Sequence, residues 1–412
     1  MSLMNPLEIN KVQISTHFIS QNLREAPSAL MYLVNQALTT AFPNKYILET
    51  ESYLFSVTEY AEAGHCVLQA KPKIHEQFAS DWLVEENKAN YTIKNGWYQV
   101  KWQDHTFELL ILTRVGDIVS SRAYWLIADD KAAAESFLRE VSRWNFEIHD
   151  EVLVFEDGGW EKSDELFNAI KSATFDGLVL EGTLKADLRK DVRQFFESQA
   201  IYQQYGVPWK RGLLYVGPPG NGKTHAVKAL INEMTKPCLY VKSLIADRPN
   251  DHRNIRHVFD RARETAPCIL VFEDLDSIIN DDNRSYFLNE LDGFAGNDGI
   301  LTIATTNHPE KLDAAIVNRP SRFDRKYHFN LPGPVERAEY FILWSARQHD
   351  SLRLTKDEAE ILATLTDGFS FAYLKELMLS SVMAWIASLE HGKINDIVTT
   401  QAALLRDQMV SA

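Results

Sequence analysis

Gly217-Pro218-Pro219-Gly220-Asn221-Gly222-Lys223-Thr224 decides how this chain is read. The apolar run Gly212-Leu213-Leu214-Tyr215-Val216 precedes it, and an apparent helix from His225 to Met234 follows. A strand, a glycine-rich turn and a helix in that order have a chemical use. A phosphate needs several hydrogen-bond donors that can approach without side chains in the way. Glycines let the backbone bend into positive φ and bring its N–H groups close. The helix N-terminus adds oriented amides and a partial positive charge. The stretch matches G-x-x-x-x-G-K-T, which predicts Lys223 on the β/γ-phosphates and the Thr224 hydroxyl on Mg2+. Gly217, Pro218, Pro219, Gly220, Asn221, Gly222, Lys223, Thr224 and the helix-opening His225 are the expected nucleotide contacts. A plain turn between strand and helix accounts less well for a full pattern in the right context.

Downstream, strand and helix patterns alternate over 212–216, 225–234, 238–243, 252–265, 268–273, 284–291 and 300–305, which predicts a parallel sheet covered by helices. Ligands of such sheets bind at the carboxyl ends of the strands. The strand Cys268-Ile269-Leu270-Val271-Phe272 ends in Glu273-Asp274-Leu275-Asp276. One carboxylate of the pair Glu273 and Asp274 is expected to hold Mg2+, with Glu273 the metal-side group, and its neighbour to orient or deprotonate water. The usual order is Asp then Glu, so here each side-chain reach differs by one methylene. The next apolar strand, Ile300 to Ala304, runs into Thr305-Thr306-Asn307. Its amide can hydrogen-bond a γ-phosphate or the attacking water. Arg319-Pro320-Ser321-Arg322-Phe323-Asp324 follows. Two arginines three residues apart suit phosphate oxygens, or Arg322 simply pairs with Asp324 in a solvated turn.

Before the loop the pattern differs. Residues 11–41 read as two helices broken at Pro27. Period-two alternation then dominates from Tyr46 to Ile127, with a hairpin expected at Asn95-Gly96 between Tyr91–Lys94 and Trp97–Trp102. Asp129 or Asp130 caps a helix to about Trp144, and a strand is expected at Glu151–Phe155. The aromatic residues Trp82, Trp97, Trp102, Trp125 and Trp144 read as core more readily than as a ligand cage. No catalytic constellation is legible there. After Pro332-Gly333-Pro334 only helices are expected, over 336–349, 355–366, 371–390 and 399–407.

The 412 residues are too many for one small core, and 45% hydrophobic with 24% charged residues is the balance of a folded protein. A formal charge of -14 argues against a broad nucleic-acid or anionic-membrane surface. Cys66, Cys238 and Cys268 are scattered and lack metal-ligand spacing, which suggests reduced, buried thiols. No stretch is apolar for long enough to span a bilayer. A soluble, cytoplasmic protein with no membrane segment is the expectation.

Together these residues resemble the AAA branch of the AAA+ ATPases. The likeness covers about residues 180 to 380, from the linker Tyr205-Gly206-Val207-Pro208 through the loop 217–224, the acidic strand and the region Asn307–Arg325. Within that branch the sequence is similar to the mitochondrial translocase that inserts the Rieske iron–sulfur protein into respiratory complex III, a family that also carries Glu-Asp in its acidic strand. That family's transmembrane helix is not seen, and its substrate does not carry over. The resemblance implies an α/β fold over its part of the chain, a P-loop parallel-sheet core as ATPase domain at 183–333 with an α-helical lid at 334–412. It does not explain the residues before a linker at 161–182; there the alternation itself suggests an α+β amino-terminal domain, residues 1–160, expected to bind client or partner. The resemblance also implies ATP and Mg2+ as cofactors, Asn307 as a sensor of the γ-phosphate, and Gly206 and Val207 near the adenine. Arg319 and Arg322 would reach as arginine fingers into the next subunit of a homo-oligomeric ring, a hexamer or heptamer.

Three functions compete: a ring ATPase that remodels protein clients, a slow-turnover nucleotide-gated assembly module, and a DNA-processing relative, which the charge disfavours. The loop Leu244-Ile245-Ala246-Asp247-Arg248-Pro249-Asn250-Asp251 contains no aromatic residue and no glycine. That composition suits conformational switching on a bound client better than threading of a chain.

Overall fold

The computed structural model describes residues 27–71, 76–83, 87–115, 120–149, 151–244, 251–292, 296–317, 322–387 and 394–411. They form two compact units that divide between Glu147 and Ile148. Part of the first expected helix pair, residues 11–26, lies outside the described residues, and Pro27 opens the helix Pro27–Ala41.

In the first unit the strands are β1 (Tyr46–Thr50), β2 (Val67–Ala70), β3 (Gln77–Leu83), β4 (Lys88–Trp102), β5 (His105–Val115) and β6 (Ser120–Ala128). They pair antiparallel in the order β1-β6-β5-β4-β2, with β3 on β4. Alternation sends Tyr98, Val100 and Trp102 of β4 to one face, where they pack with Phe107, Phe137 and Val141. Trp97 goes to the other face, with Val34, Leu38 and Trp125. The sheet is therefore lined by the helix Lys131–Phe146 on one side and by Pro27–Ala41 on the other. Asp130 caps the former, accepting from the Ala133 N–H at 2.8 Å.

The hairpin turn expected at Asn95-Gly96 is not there. β4 runs straight through both residues. The Asn95 side chain is used across strands instead: its Oδ1 accepts from the Thr113 N–H at 2.8 Å, and its Nδ2 donates to Gln77. Tertiary pairing overrides a locally favoured turn. The tight connection falls later, where Trp102 pairs with His105. Of the tryptophans read as core, Trp97, Trp102 and Trp125 are buried and Trp144 packs against the cluster that holds Trp102, but Trp82 is 60% exposed.

The second unit contains β7 (Leu153–Glu156), β8 (Gly159–Lys162), β9 (Arg211–Val216), β10 (Cys238–Val241), β11 (Cys268–Phe272), β12 (Ile300–Thr306) and β13 (Arg325–His328). Their order is β13-β9-β12-β11-β10-β7-β8, parallel except for β8. The strand expected in the amino-terminal domain at 151–155 thus belongs to this sheet, because Leu153, Val154 and Phe155 pair with β10. The stretch expected as a linker, 161–182, holds the helix Asp164–Ser172, whose Leu166 and Ile170 enter the core. Both faces of the sheet are buried, as continuous apolar strands require. Four helices complete the unit: Pro334–Ala346, Lys356–Leu365, Phe371–Ala387 and Ile394–Ser411. They close on Phe341, Leu362, Leu374 and Val398. Among the described residues no helix is long and apolar enough to cross a membrane.

Candidate functional site

The carboxyl ends of β9, β12, β11 and β10 stand side by side in that order. They gather groups that are far apart in sequence. The turn after β9 leads into the helix Lys223–Met234, whose first-turn N–H groups have no carbonyl one turn back to bind. Gly220 and Gly222 have φ of 77° and 88°, conformations that side chains disfavour. A Cβ on Gly220 would also lie 2.5 Å from Ala372 Cβ, and one on Gly222 would lie 2.8 Å from Leu178 Cδ1. The loop is thus clamped between the segment at Leu178 and the start of Phe371–Ala387, where the Ala372 N–H donates to Gly220 O at 3.0 Å.

Lys223 is only 6% exposed. Its Nζ donates to Gly217 O at 2.6 Å, Pro218 O at 2.9 Å and Asn307 Oδ1 at 2.7 Å. Burial holds its ammonium below the ordinary lysine range, against the pull of the Asp274, Asp276 and Glu273 charges. Asn307 spans the site, because its Nδ2 donates to Asp274 Oδ1 at 2.9 Å. Asp274 has a φ of 49°, a conformation that non-glycine residues adopt mostly at turns and functional sites. Its N–H donates to Thr305 Oγ1 at 3.0 Å. Burial, with the neighbouring Glu273 and Asp276 charges, holds its carboxyl above the usual range. Glu273 accepts from the Thr224 hydroxyl through Oε1 and from the Tyr240 hydroxyl through Oε2. Asp276 accepts from the Thr306 hydroxyl at 2.6 Å.

The donor set fits a polyphosphate and a hard divalent cation. A buried ammonium and orphan helix amides meet the anion. A hydroxyl and a carboxylate in contact, Thr224 and Glu273, are oxygen ligands of the kind Mg2+ takes. Asp274 stands beside them.

Three expected residues fall elsewhere. Gly206 and Val207 precede β9, where the Trp209 N–H binds Asp298 and the Gly299 N–H binds Trp209 O. They lie at the amino end of the sheet, opposite the loop, so their expected place near the adenine is corrected. The side chains flanking the loop are instead Leu178, Ser370 and Ala372. Arg322 is 7% exposed, and its guanidinium grips Asp292 in a bidentate pair at 3.0 and 2.8 Å while donating to Ala315 O at 2.6 Å. Asp324 is not its partner; it accepts from the Gly212 N–H at 2.9 Å. Arg319 lies outside the described residues, as do residues 245–250 of the loop after β10. The His225 ring meets Thr174 O at 2.9 Å, and its backbone N–H stays in the first turn of the helix Lys223–Met234.

Tyr240, Asp276 and Thr305 were not singled out from the sequence. Asp276 and Thr305 stood beside chosen residues in short polar runs at strand ends. Tyr240 carried no signal, since it sits in an apolar strand and meets Glu273 only through strand order.

Residues 213–331 match the family model described as "ATPase family associated with various cellular activities (AAA)". Among curated proteins, ATP-dependent zinc metalloprotease FTSH 6, chloroplastic, from Oryza sativa subsp. japonica is 33% identical over 226 residues, covering 50% of this chain and 32% of its own length. ATP-dependent zinc metalloprotease FtsH from Acidothermus cellulolyticus is 32% identical over 233 residues, covering 52% and 33%. ATP-dependent zinc metalloprotease FtsH 2 from Salinibacter ruber is 32% identical over 232 residues, covering 50% and 32%. The chain spans about a third of the length of these relatives. It carries an AAA+ ATPase domain, an ATP-hydrolysing enzyme domain that uses ATP and Mg2+.

Proposed function

We propose that this chain, through its AAA+ ATPase domain, acts as a ring-forming machine that remodels, moves or assembles protein clients. The observation that carries the reading is the bridge from Lys223 through Asn307 to Asp274, which ties a phosphate-side cation to a water-side carboxylate through one amide. Lys223 would hold the β/γ-phosphates, and Thr224 and Glu273 the metal. When bound, Mg2+ would offset the charge that develops on the phosphoryl oxygens. Asp274 would orient the attacking water and accept its proton, while Asn307 keeps that carboxylate in register. The base would lie against Leu178 and Ala372.

The arginine assignment implies a neighbouring subunit, and the resemblance to the AAA branch suggests a ring of six or seven copies. The Arg322 backbone crosses Gly212, where a Cβ would lie 2.0 Å from Arg322 O. Five residues of strand, about 16 Å at ~3.3 Å per residue, separate Gly212 from Gly217. Arg322, whose guanidinium is held by Asp292, is therefore not on the phosphates of its own chain. Arg319 is the proposed finger, and Arg322, held by Asp292, the anchor of its segment. Residues 1–147 would select the client. The loop at 244–251, without an aromatic grip, and the likeness to the Rieske translocase favour switching on a folded client over threading. Proteolysis, which the relatives' names carry, is not part of this reading.

A slow-turnover assembly module is the second reading. It is favoured by the Glu-Asp order of the acidic pair, which changes each side-chain reach by one methylene. Steady-state hydrolysis and nucleotide binding decide. Lys223→Ala should abolish tight ATP binding in a folded chain. Wild-type affinity in that variant would overturn the site assignment, and multiple-turnover hydrolysis by the unmodified chain would exclude the slow module.

A further inference from the structure

We propose that Tyr240 is a positioning residue for the metal-side carboxylate, clamping Glu273 Oε2 so that Oε1 stays turned toward Thr224. The inference rests on the metal role proposed above for Thr224 and Glu273.

The strand order makes the contact. Tyr240 pairs with Val271 across β10 and β11, and Glu273 lies two residues beyond Val271. Side chains two apart on a strand share a face, and a diagonal neighbour on the next strand is within reach of a ring as long as tyrosine. Tyr240 is 1% exposed and packs with Val271 and Tyr215 in the core, so its hydroxyl has little freedom. It donates its single proton to Glu273 Oε2, and the Thr224 hydroxyl donates to Oε1. One oxygen is thus tied back to the sheet and the other faces the first turn of the phosphate-binding helix.

The need for such a clamp follows from the residue type. Glutamate has one more rotatable bond than the aspartate usual at this position, so fixing its carboxylate costs more rotamer entropy. The buried Lys223 ammonium is near enough for the Glu273 charge to act on it. An unclamped carboxylate would have a second partner to swing to, and one that the phosphates require. Tyr240 removes that option.

The test replaces Tyr240 with Phe in the full chain and titrates Mn2+ as a spectroscopic probe in the presence of a non-hydrolysable ATP analogue. Removing an outer partner of a metal ligand typically weakens metal affinity by about 10–100-fold. That loss is expected here, with metal-free nucleotide affinity unchanged and thermal stability near that of the parent. Glu273→Asp in the Tyr240→Phe background should recover much of the metal affinity, because the shorter arm needs no clamp. Mn2+ affinity within twofold of the parent, or a loss that Glu273→Asp does not repair, would overturn the proposal. Glu273→Gln separates the two layers. If it leaves Mn2+ affinity intact, the metal role of Glu273 fails and the clamp fails with it. If it abolishes Mn2+ binding while Tyr240→Phe does not, only the clamp fails.

Discussion

The antiparallel sheet of the first unit and the parallel sheet of the second are both packed on two faces, yet they treat their charged groups differently. In the first, polar pairs are scattered: Lys71 with Glu108, Tyr98 with Glu76, Asn35 with Glu49. In the second, Lys223, Glu273, Asp274, Asp276 and Asn307 meet at one edge. Chain direction explains the contrast. Parallel strands end at the same edge, so the loops that follow them converge, whereas antiparallel strands send successive loops to opposite edges. One sheet is built to gather chemistry and the other to present surfaces.

The largest effect should come from outside a subunit's own edge. Arg319→Ala is expected to slow steady-state hydrolysis by about 10³–10⁵-fold, the range for arginine fingers, without loss of ATP binding. Mixing Arg319→Ala with Lys223→Ala subunits should restore part of the activity, because some sites then combine an intact loop with an intact finger. No recovery in verified mixed rings would confine the chemistry to one chain. Arg322→Ala should behave differently. Leaving Asp292 without the buried guanidinium typically costs about 3–5 kcal/mol in stability, visible as a lowered unfolding midpoint before any kinetic assay.

Next comes Asp274→Asn, which keeps the hydrogen bond to Asn307 but removes the proton acceptor. Turnover should fall by about 10²–10⁴-fold, the usual contribution of a positioned base, with nucleotide affinity retained. Normal turnover measured by phosphate release would move the base elsewhere in the edge cluster.

The two units should also come apart energetically. Trp125 is fully buried between the first sheet and the helix Pro27–Ala41. Trp125→Ala is expected to destabilise that unit by about 3–5 kcal/mol. In calorimetry the transition of the first unit should shift down while fluorescent-nucleotide binding by the second is unchanged. Loss of nucleotide binding in parallel would show that the parallel sheet depends on the antiparallel one.

How much of this was legible depended on whether the chemistry is local. The phosphate loop compresses its requirements into eight successive residues, and Glu273, Asp274 and Asn307 announce themselves by following apolar strands. Tyr240, Asp292 and the flanking Leu178 are placed by strand order and packing, which the sequence does not list in spatial order. The same limit misplaced Gly206 and Val207, since a residue just before a strand lies a strand's length away from one just after it. In the first unit the Asn95-Gly96 pattern misled for the opposite reason. Its turn preference is local, but the Asn95 side chain gains more by bonding to Thr113 and Gln77 across the sheet.

The smallest predicted effect concerns Trp82, the tryptophan that the core reading misplaced. It lies on β3 with Phe78, and register puts Tyr91 of β4 on the same face, opposite Ser80. All three rings are exposed, Tyr91 by 66%. A ring that is mostly in water in the folded chain loses little on removal, so Trp82→Ser should change unfolding free energy by no more than about 0.5 kcal/mol. The polar replacement also removes apolar surface of the kind that promotes association. Denaturant titration of Trp82→Ser beside Trp125→Ala makes the contrast quantitative. A Trp82 effect above about 1.5 kcal/mol would mean that this face is covered in solution, and the division between a gathering sheet and a presenting one would have to be redrawn at β3.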